Sequence, residues 1–418
     1  MAMSAYDKGI RLAAKRNVKA AKMVEGRRES LEVLRGKLRP GDRPVWFHAA
    51  SLGEFEQARP LIEEMKKETP ERKIVVSFFS PSGYEVRKNY PLADAVCYLP
   101  ADTPGRIKEF IATMNPSQAF FVKYEFWRNA LETLSHRGVP TYLISAIFRP
   151  DQLFFKPWGG FYRRWLRWFS HIYVQNEASR KLLGSIGINN VTVAGDTRFD
   201  RVAAIRDARK VIPEAEAFCR PRRAGDCPMV MVAGSSWEPD EAVYAPWIKE
   251  HPEVKLIVAP HEFDSARITK MKELFGQDNC VTITEAKGDE KRLESAHVLI
   301  VDCFGLLSSL YAYGDVAYVG GGFGVSIHNI NEAAVYGIPV VFGPNNHKFL
   351  EAQELKANGG GVEIKGEADF RKEADLLLSD AGYRSIRGEA AGGYIASRLG
   401  ATARILGSLK EARQRADL

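Results

Sequence analysis

The sequence predicts an α/β protein built from two successive doubly wound, Rossmann-like domains. Three observations carry that reading. Short runs rich in Val, Ile and Phe recur without polar alternation, as strands buried on both faces of a parallel sheet do. Helical patterns lie between them, the alternation of βαβ units. The alternation stops over residues 201–228, where charge, Pro213, Pro221, Gly225 and Pro228 replace apolar runs, and then restarts. A length of 418 residues suits such a pair, at roughly 100–200 residues per domain.

In chain order, residues 1–44 are expected to be a basic helical segment. Residues 45–205 form the first Rossmann-like domain, with strands at Val45–Ala49, Ile74–Phe79, Ala95–Leu99, Ala119–Val122, Thr141–Ser145, Ile172–Gln175 and Val191–Ala194. Phe55, Ala58, Leu61, Ile62 and Met65 recur at helical spacing and mark the core face of the first crossover helix. Residues 201–228 read as the linker. Residues 206–418 form the second domain, with strands at Met229–Ala233, Leu256–Ala259, Val281–Thr284, Val298–Val301, Val316–Val319 and Val340–Phe342, and Ala/Arg-rich helices from Gly382 onward. Two such domains are expected to face a cleft at the carboxyl ends of their strands, where open α/β sheets bind ligands.

Composition excludes several classes. Hydrophobic residues make up 45% and charged residues 27%, which is neither collagenous nor disordered. No run reaches the roughly 18 apolar residues of a membrane-spanning helix, and no secretory signal is visible. The five cysteines are scattered, with no CxxC pair, and read as reduced thiols. The net charge of +7 lies wholly in residues 1–45, which hold 12 Lys/Arg against 5 Asp/Glu. There Lys8, Arg11, Lys15, Arg16, Lys19, Lys22, Arg27 and Arg28 interleave with Ile10, Leu12, Val18 and Val24. That suits either an anionic membrane surface or a solvated helix. No nucleic-acid-reading motif follows, so nucleic acid is not an expected partner. Residues 156–169 add Trp158, Phe161, Tyr162, Trp165, Trp168 and Phe169 among Lys156, Arg163, Arg164 and Arg167. Trp and Tyr beside Arg suit the headgroup layer; an ordinary packed helix with a basic face would look the same.

The loops carry the chemistry. No P-loop, HExxH, Asp-x-Asp or GxSxG pattern occurs, so no cofactor and no metal is expected. The first strand runs into His48-Ala49-Ala50-Ser51-Leu52-Gly53-Glu54. Glu54 there could be a general base or a helix N-terminal charge. Glu125 in Lys123-Tyr124-Glu125-Phe126-Trp127 follows the fourth strand and is either a second site acid or a salt-bridging residue. Ser235 and Ser236 precede a helix, where they could hold a phosphate or cap the helix. His261 follows the next strand and could touch the same phosphate. Gly320, Gly321 and Gly322 would let backbone approach a ligand. Asn329 and Glu332 follow them, and Glu332 opens a helix where a carboxylate can take two ribose hydroxyls.

The stretches "HAASLGEFEQARPLI", "KYEFWRN", "ISAIFRP", "VQNEASRKLLGSIG", "VAGDTRFD", "AGSSW", "APHE" and "HNINEAAVYGIPVVFGPN", spread over residues 45–360, together resemble the 3-deoxy-D-manno-octulosonic acid (Kdo) transferases of lipid A biosynthesis. The resemblance implies a GT-B type glycosyltransferase fold and inverting, metal-independent transfer from CMP-Kdo to a lipid A precursor, within lipopolysaccharide core assembly. It implies action at the cytoplasmic face of the bacterial inner membrane. By it, Glu54 is the general base and Glu125 the second acid. Ser235, Ser236 and His261 meet the donor phosphate, Gly321 and Gly322 line the donor site, and Asn329 and Glu332 hold the CMP ribose. Trp158, Arg163, Arg164, Trp165 and Arg167 face the membrane and acceptor. A monophosphate leaving group carries less charge than a diphosphate, so helix N-termini can stabilise it without Mg²⁺.

The sequence departs from the family in places. His261-Glu262 stands where Arg-His is frequent, Ser326-Ile327 where Gly-Gly is, and Asn331 where an apolar residue is. A neutral His holds phosphate less firmly than an Arg fork. The family's N-terminal apolar anchor is absent from this sequence, and Met1-Ala2-Met3-Ser4 is expected to stand in its place. The alternatives are another twin-domain transferase using a UDP-sugar, a nucleotide-sugar epimerase, or a non-catalytic membrane-surface protein of the same fold. Retention of both Glu54 and Glu332 argues against the last.

Overall fold

The computed structural model describes residues 2–220 and 228–416. Pro221, Gly225 and Cys227 of the expected linker and cysteine set lie outside the described residues, as do the side chain of Lys8 and the chain's first and last residues. Among the described residues the chain forms two seven-stranded parallel sheets.

The first sheet comprises β1 (Val45–Ala49), β2 (Ile74–Phe78), β3 (Ala95–Tyr98), β4 (Gln118–Val122), β5 (Thr141–Ala146), β6 (His171–Val174) and β7 (Val191–Val193). Its order is β3-β2-β1-β4-β5-β6-β7. The winding reverses between β1 and β4, which makes their carboxyl ends a switch point. β1, β2 and β4 are buried along their whole length, because helices cover both faces. Alternate residues serve opposite cores. Val45, Phe47 and Ala49 pack with Phe55, Ala58 and Leu61, while Trp46 packs with Ile107 and Phe110.

The second sheet comprises β8 (Met229–Ser236), β9 (Val254–Pro260), β10 (Cys280–Thr282), β11 (Val298–Ile300), β12 (Val316–Val319), β13 (Val340–Phe342) and β14 (Gly361–Glu363). Its order is β10-β11-β9-β8-β12-β13-β14, with the reversal between β8 and β12. Every strand run expected from the sequence is a strand here; β1, β12 and β13 have the expected bounds and the others have shifted ends. β14 is additional: it is three residues long and follows Gly359-Gly360, so it reads as a turn.

By contacts the chain divides into one compact unit of residues 1–201 with 400–418 and another of residues 202–399. Three expectations are corrected. First, residues 1–44 do not stand apart from the first domain. They form α1 (Ala2–Ala13) and α2 (Val18–Lys37), and α2 packs on β3. Leu34 is buried, Ser30 Oγ donates to the Tyr98 carbonyl at 2.8 Å, and Gly26 lies so close to the Tyr98 ring that a Cβ would sit 2.3 Å from it. Second, the last helix, Ala401–Ala416, belongs to the first unit. Its Ile405 and Leu409 complete the core that includes the helix α3 (Leu52–Glu68). Asp200 accepts from the Gly400 and Thr402 backbone, both at 2.6 Å, and Arg404 Nε donates to the Ala194 carbonyl at 2.8 Å. Third, the stretch expected as a linker is largely helical. Helices Thr197–Asp207 and Pro213–Cys219 occupy it, and Ile212, Ala215 and Phe218 are buried in the second unit. Pro213 opens the second of these helices rather than breaking one.

Candidate active site

The carboxyl ends of β1 and β4 flank the switch point of the first sheet, and each leads to an acid. Glu54 is the third residue of α3. Its carboxylate accepts from the Ser51 backbone N–H at 3.1 Å, one half of a capping box. So the helix-terminus reading of this residue holds, yet the carboxyl remains half-buried. Burial, and after it the negative charge of Glu125, push its pKa above the ordinary carboxylate range. That is the direction a general base needs.

Glu125 is 7% exposed. Its Oε2 accepts from Trp127 Nε1 at 2.5 Å and lies 3.0 Å from His48 Nε2. His48, fully buried on β1, was not singled out from the sequence, although a lone polar residue inside a wholly buried strand was the available signal. Behind it, Trp46 Nε1 donates to Ser77 Oγ at 2.8 Å, and Ser77 Oγ lies 2.9 Å from His48 Nδ1. The order Trp46→Ser77→His48→Glu125 satisfies every hydrogen with a neutral ring. The Ser77 carbonyl, 3.1 Å from Nδ1, would serve the protonated ring equally well. Lys123, at φ 63, holds a left-handed conformation immediately after β4.

The second sheet repeats the arrangement. β8 ends in Ser235 and Ser236 and leads to the helix Glu238–Glu250; β12 ends at the glycines. Ser235, at φ 52, is strained and half-buried. The expectation for Ser236 is corrected at its side chain: the hydroxyl is buried against Tyr244 OH at 2.8 Å. At the glycines, packing by itself already requires the absence of a side chain. At Gly322 a Cβ would lie 2.6 Å from the Gly343 backbone. At Gly321, with φ 92, it would lie 2.3 Å from the Ser326 carbonyl. Asp240, missed from the sequence, joins the two loops. Its Oδ2 accepts from Trp237 N at 3.0 Å and Gly321 N at 2.8 Å, and its Oδ1 from Tyr318 OH at 3.1 Å.

His261 is exposed, after β9, and belongs to a ring stack. Trp237 and His261 lie 4.5 Å apart, as do His261 and His328. Trp237 Nε1 donates to His328 Nε2 at 3.2 Å. Burial, then the neighbouring His261, pull His328 down to about 4, so it is neutral at pH 7 and can accept that bond. Glu332 accepts from Asn329 Nδ2 at 2.9 Å and Ser308 Oγ at 2.6 Å, so the two expected ribose-binding residues are neighbours.

Residues 156–169 separate into two sets. Arg163 donates to the carbonyls of Phe154 and Lys156, both at 2.8 Å, and Trp165 packs on the first core; these two are scaffold rather than a membrane face. Trp158, Phe161, Arg164 and Arg167 are exposed. Among the described residues no helix is long and apolar enough to cross a membrane.

A family model described as 3-deoxy-D-manno-octulosonic-acid transferase (kdotransferase) matches residues 20–201. A 3-deoxy-D-manno-octulosonic acid transferase of Aquifex aeolicus is 28% identical over 84% of this chain and 89% of that protein. The enzyme of the same name from Bordetella pertussis is 28% identical over 88% of this chain and 87% of its own. Among solved structures, a UDP-GlcNAc 2-epimerase from Neisseria meningitidis shares the fold, with a TM-score of 0.61 at 15% identity over 88% of this chain and all of that one. The twin Rossmann-like sheets are thus a GT-B type fold. The "SLGE" and "HNINE" blocks lie in the loops after the switch-point strands of the two sheets, and over most of its length the chain is similar to 3-deoxy-D-manno-octulosonic acid transferases.

Proposed function

We propose that this transferase moves Kdo from CMP-Kdo to an anionic, acylated lipid A precursor at the cytoplasmic surface of the inner membrane, with inversion and without a metal. One observation carries the reading: the first sheet ends its switch point in two acids, and the second ends its own in phosphate- and ribose-type loops. The first unit is accordingly the acceptor domain and the second the donor domain. Glu54 takes the proton of the acceptor hydroxyl as its oxygen bonds to the anomeric carbon of Kdo. The bond from that carbon to the CMP phosphate oxygen breaks, and CMP leaves with the electron pair. Glu125, held by His48 and Trp127, keeps Glu54 basic through its charge.

On the donor side, Ser235, His261 and the start of the helix Glu238–Glu250 receive the phosphate. Asn329 and Glu332 receive the ribose. The transition state is oxocarbenium-like, by analogy with glycoside chemistry. The basic first helices and the exposed Trp158, Phe161, Arg164 and Arg167 support binding at an anionic surface.

The test is mass spectrometry of a tetraacylated lipid A precursor incubated with CMP-Kdo and enzyme in EDTA, beside Glu54→Gln. The expected result is a gain of Kdo mass, lost in the variant. No gain while CMP still binds would sink the acceptor assignment. No gain without EDTA and no CMP binding would sink the donor assignment too.

A further inference from the structure

The first unit holds a cavity that the acid pair does not line. A cavity of ≈ 280 Å³ lies between the first two helices and the segments that follow β3, lined by Arg11, Arg27, Arg28 and Arg106 with Asp7 and Glu109. Four arginines against two acids leave its wall at a formal +2. The acids are already engaged. Asp7 accepts from both Arg11 and Arg106, each at 3.1 Å, and Glu109 from Arg35 at 3.1 Å.

Arg27 has no such partner. It is 9% exposed, and its Nε, Nη1 and Nη2 are all buried without a hydrogen bond among the described residues. Its guanidinium rests 4.7 Å from the centre of the Phe79 ring, which leaves the in-plane donors unmade. A buried guanidinium with every donor unsatisfied is a standing cost, and an oxyanion in the cavity removes it.

We propose that this cavity binds a phosphate dianion, with Arg27 as its buried fork and Arg106 as its outer donor. A planar guanidinium matches two phosphate oxygens at once, and a dianion matches the +2 wall. Carboxylate would use the fork but leave one charge uncompensated. The site lies at the same end of the first sheet as Glu54 and Glu125, since Phe79 follows β2 and its ring centre lies 4.9 Å from that of Trp127, the residue bonded to Glu125. The phosphate could come from a lipid headgroup or from free phosphate; the chemistry is shared.

The test uses the full chain. Calorimetric titration with inorganic phosphate is paired with flotation on vesicles of phosphatidylcholine doped with phosphatidic acid, or with phosphatidylglycerol at matched charge. Saturable phosphate binding is expected, weakened about tenfold or more in Arg27→Gln and less in Arg106→Gln, the more exposed partner. Arg27→Gln is also expected to melt no lower than wild type in phosphate-free buffer, and to lose the stabilisation that phosphate gives. Preference for phosphatidic acid that disappears in Arg27→Gln assigns a lipid headgroup. Phosphate binding without that preference assigns free phosphate. Absence of saturable binding, or binding indifferent to both substitutions, overturns the proposal. Glu54→Gln should leave phosphate binding intact, so failure here is separable from failure of the sugar-transfer reading.

Discussion

At the scale of single residues, the carboxyl of Glu54 has two jobs that one substitution can separate. Its folded pKa is raised, so the unfolded chain ionises first as pH climbs. The group therefore subtracts stability as pH rises from the ordinary carboxylate value through the raised one. Glu54→Gln removes that penalty and keeps an oxygen for the Ser51 N–H. We expect it to melt at pH 7 no lower than wild type while transfer falls by about 10²–10⁴-fold. Joint loss of stability and rate would mean a capping role alone. Glu125→Gln removes the charge that helps hold Glu54 up. The acid limb of kcat/KM should then move to lower pH; a uniform fall in rate with an unmoved limb would contradict this. His328 behaves oppositely. Its folded pKa of about 4 lies below the ordinary 6.5, so its contribution is intact above 6.5 and is lost as pH falls towards 4. Denaturant melts between those pH values should show a smaller acid sensitivity in His328→Gln.

At the scale of elements, the legible parts were those set by local pattern. A strand buried on both faces announces itself by an unbroken apolar run, and a crossover helix by the spacing of Phe55, Ala58, Leu61, Ile62 and Met65. The loop positions of Glu54 and Glu125 were legible because each comes a few residues after such a strand. What was not legible depends on partners remote in sequence. Ser236 reads as a phosphate ligand until Tyr244 is seen to take its hydroxyl. That Gly322 also packs against the Gly343 backbone could not be read from the sequence. Arg163 reads as a surface cation until two carbonyls claim it. The last helix is the largest case. Its Ile405 and Leu409 are buried at 0% and 3%, in a core whose other members lie some two hundred or more positions earlier in the chain. Ile405→Ala should therefore destabilise the first domain by about 2–5 kcal/mol, as buried aliphatic truncations do. Equilibrium unfolding would measure it, and a change below half a kcal/mol would contradict the packing.

At the scale of the molecule, the two domains differ in how the chain makes them. The second is one continuous segment, residues 202–399, while the first needs both ends of the chain. The second has its own core, in which Met231, Val258, Trp247 and Tyr318 are buried, and among the described residues that core is built wholly from within the segment. It should fold when excised and retain CMP binding, because Ser235, His261, Asn329 and Glu332 all lie within it. Residues 1–201 alone expose the faces that Ile405 and Leu409 cover, and leave Asp200 without the backbone donors of Gly400 and Thr402. That fragment should be less stable than the same fragment fused to residues 400–418 through a flexible linker, by several kcal/mol for the lost apolar burial. Chemical denaturation of the pair, with CMP titration of the excised segment, tests both halves. A stable 1–201 fragment would show the last helix to be dispensable. An excised 202–399 segment that folds without binding CMP would place the nucleotide contacts partly on the first domain and would count against the division into acceptor and donor halves.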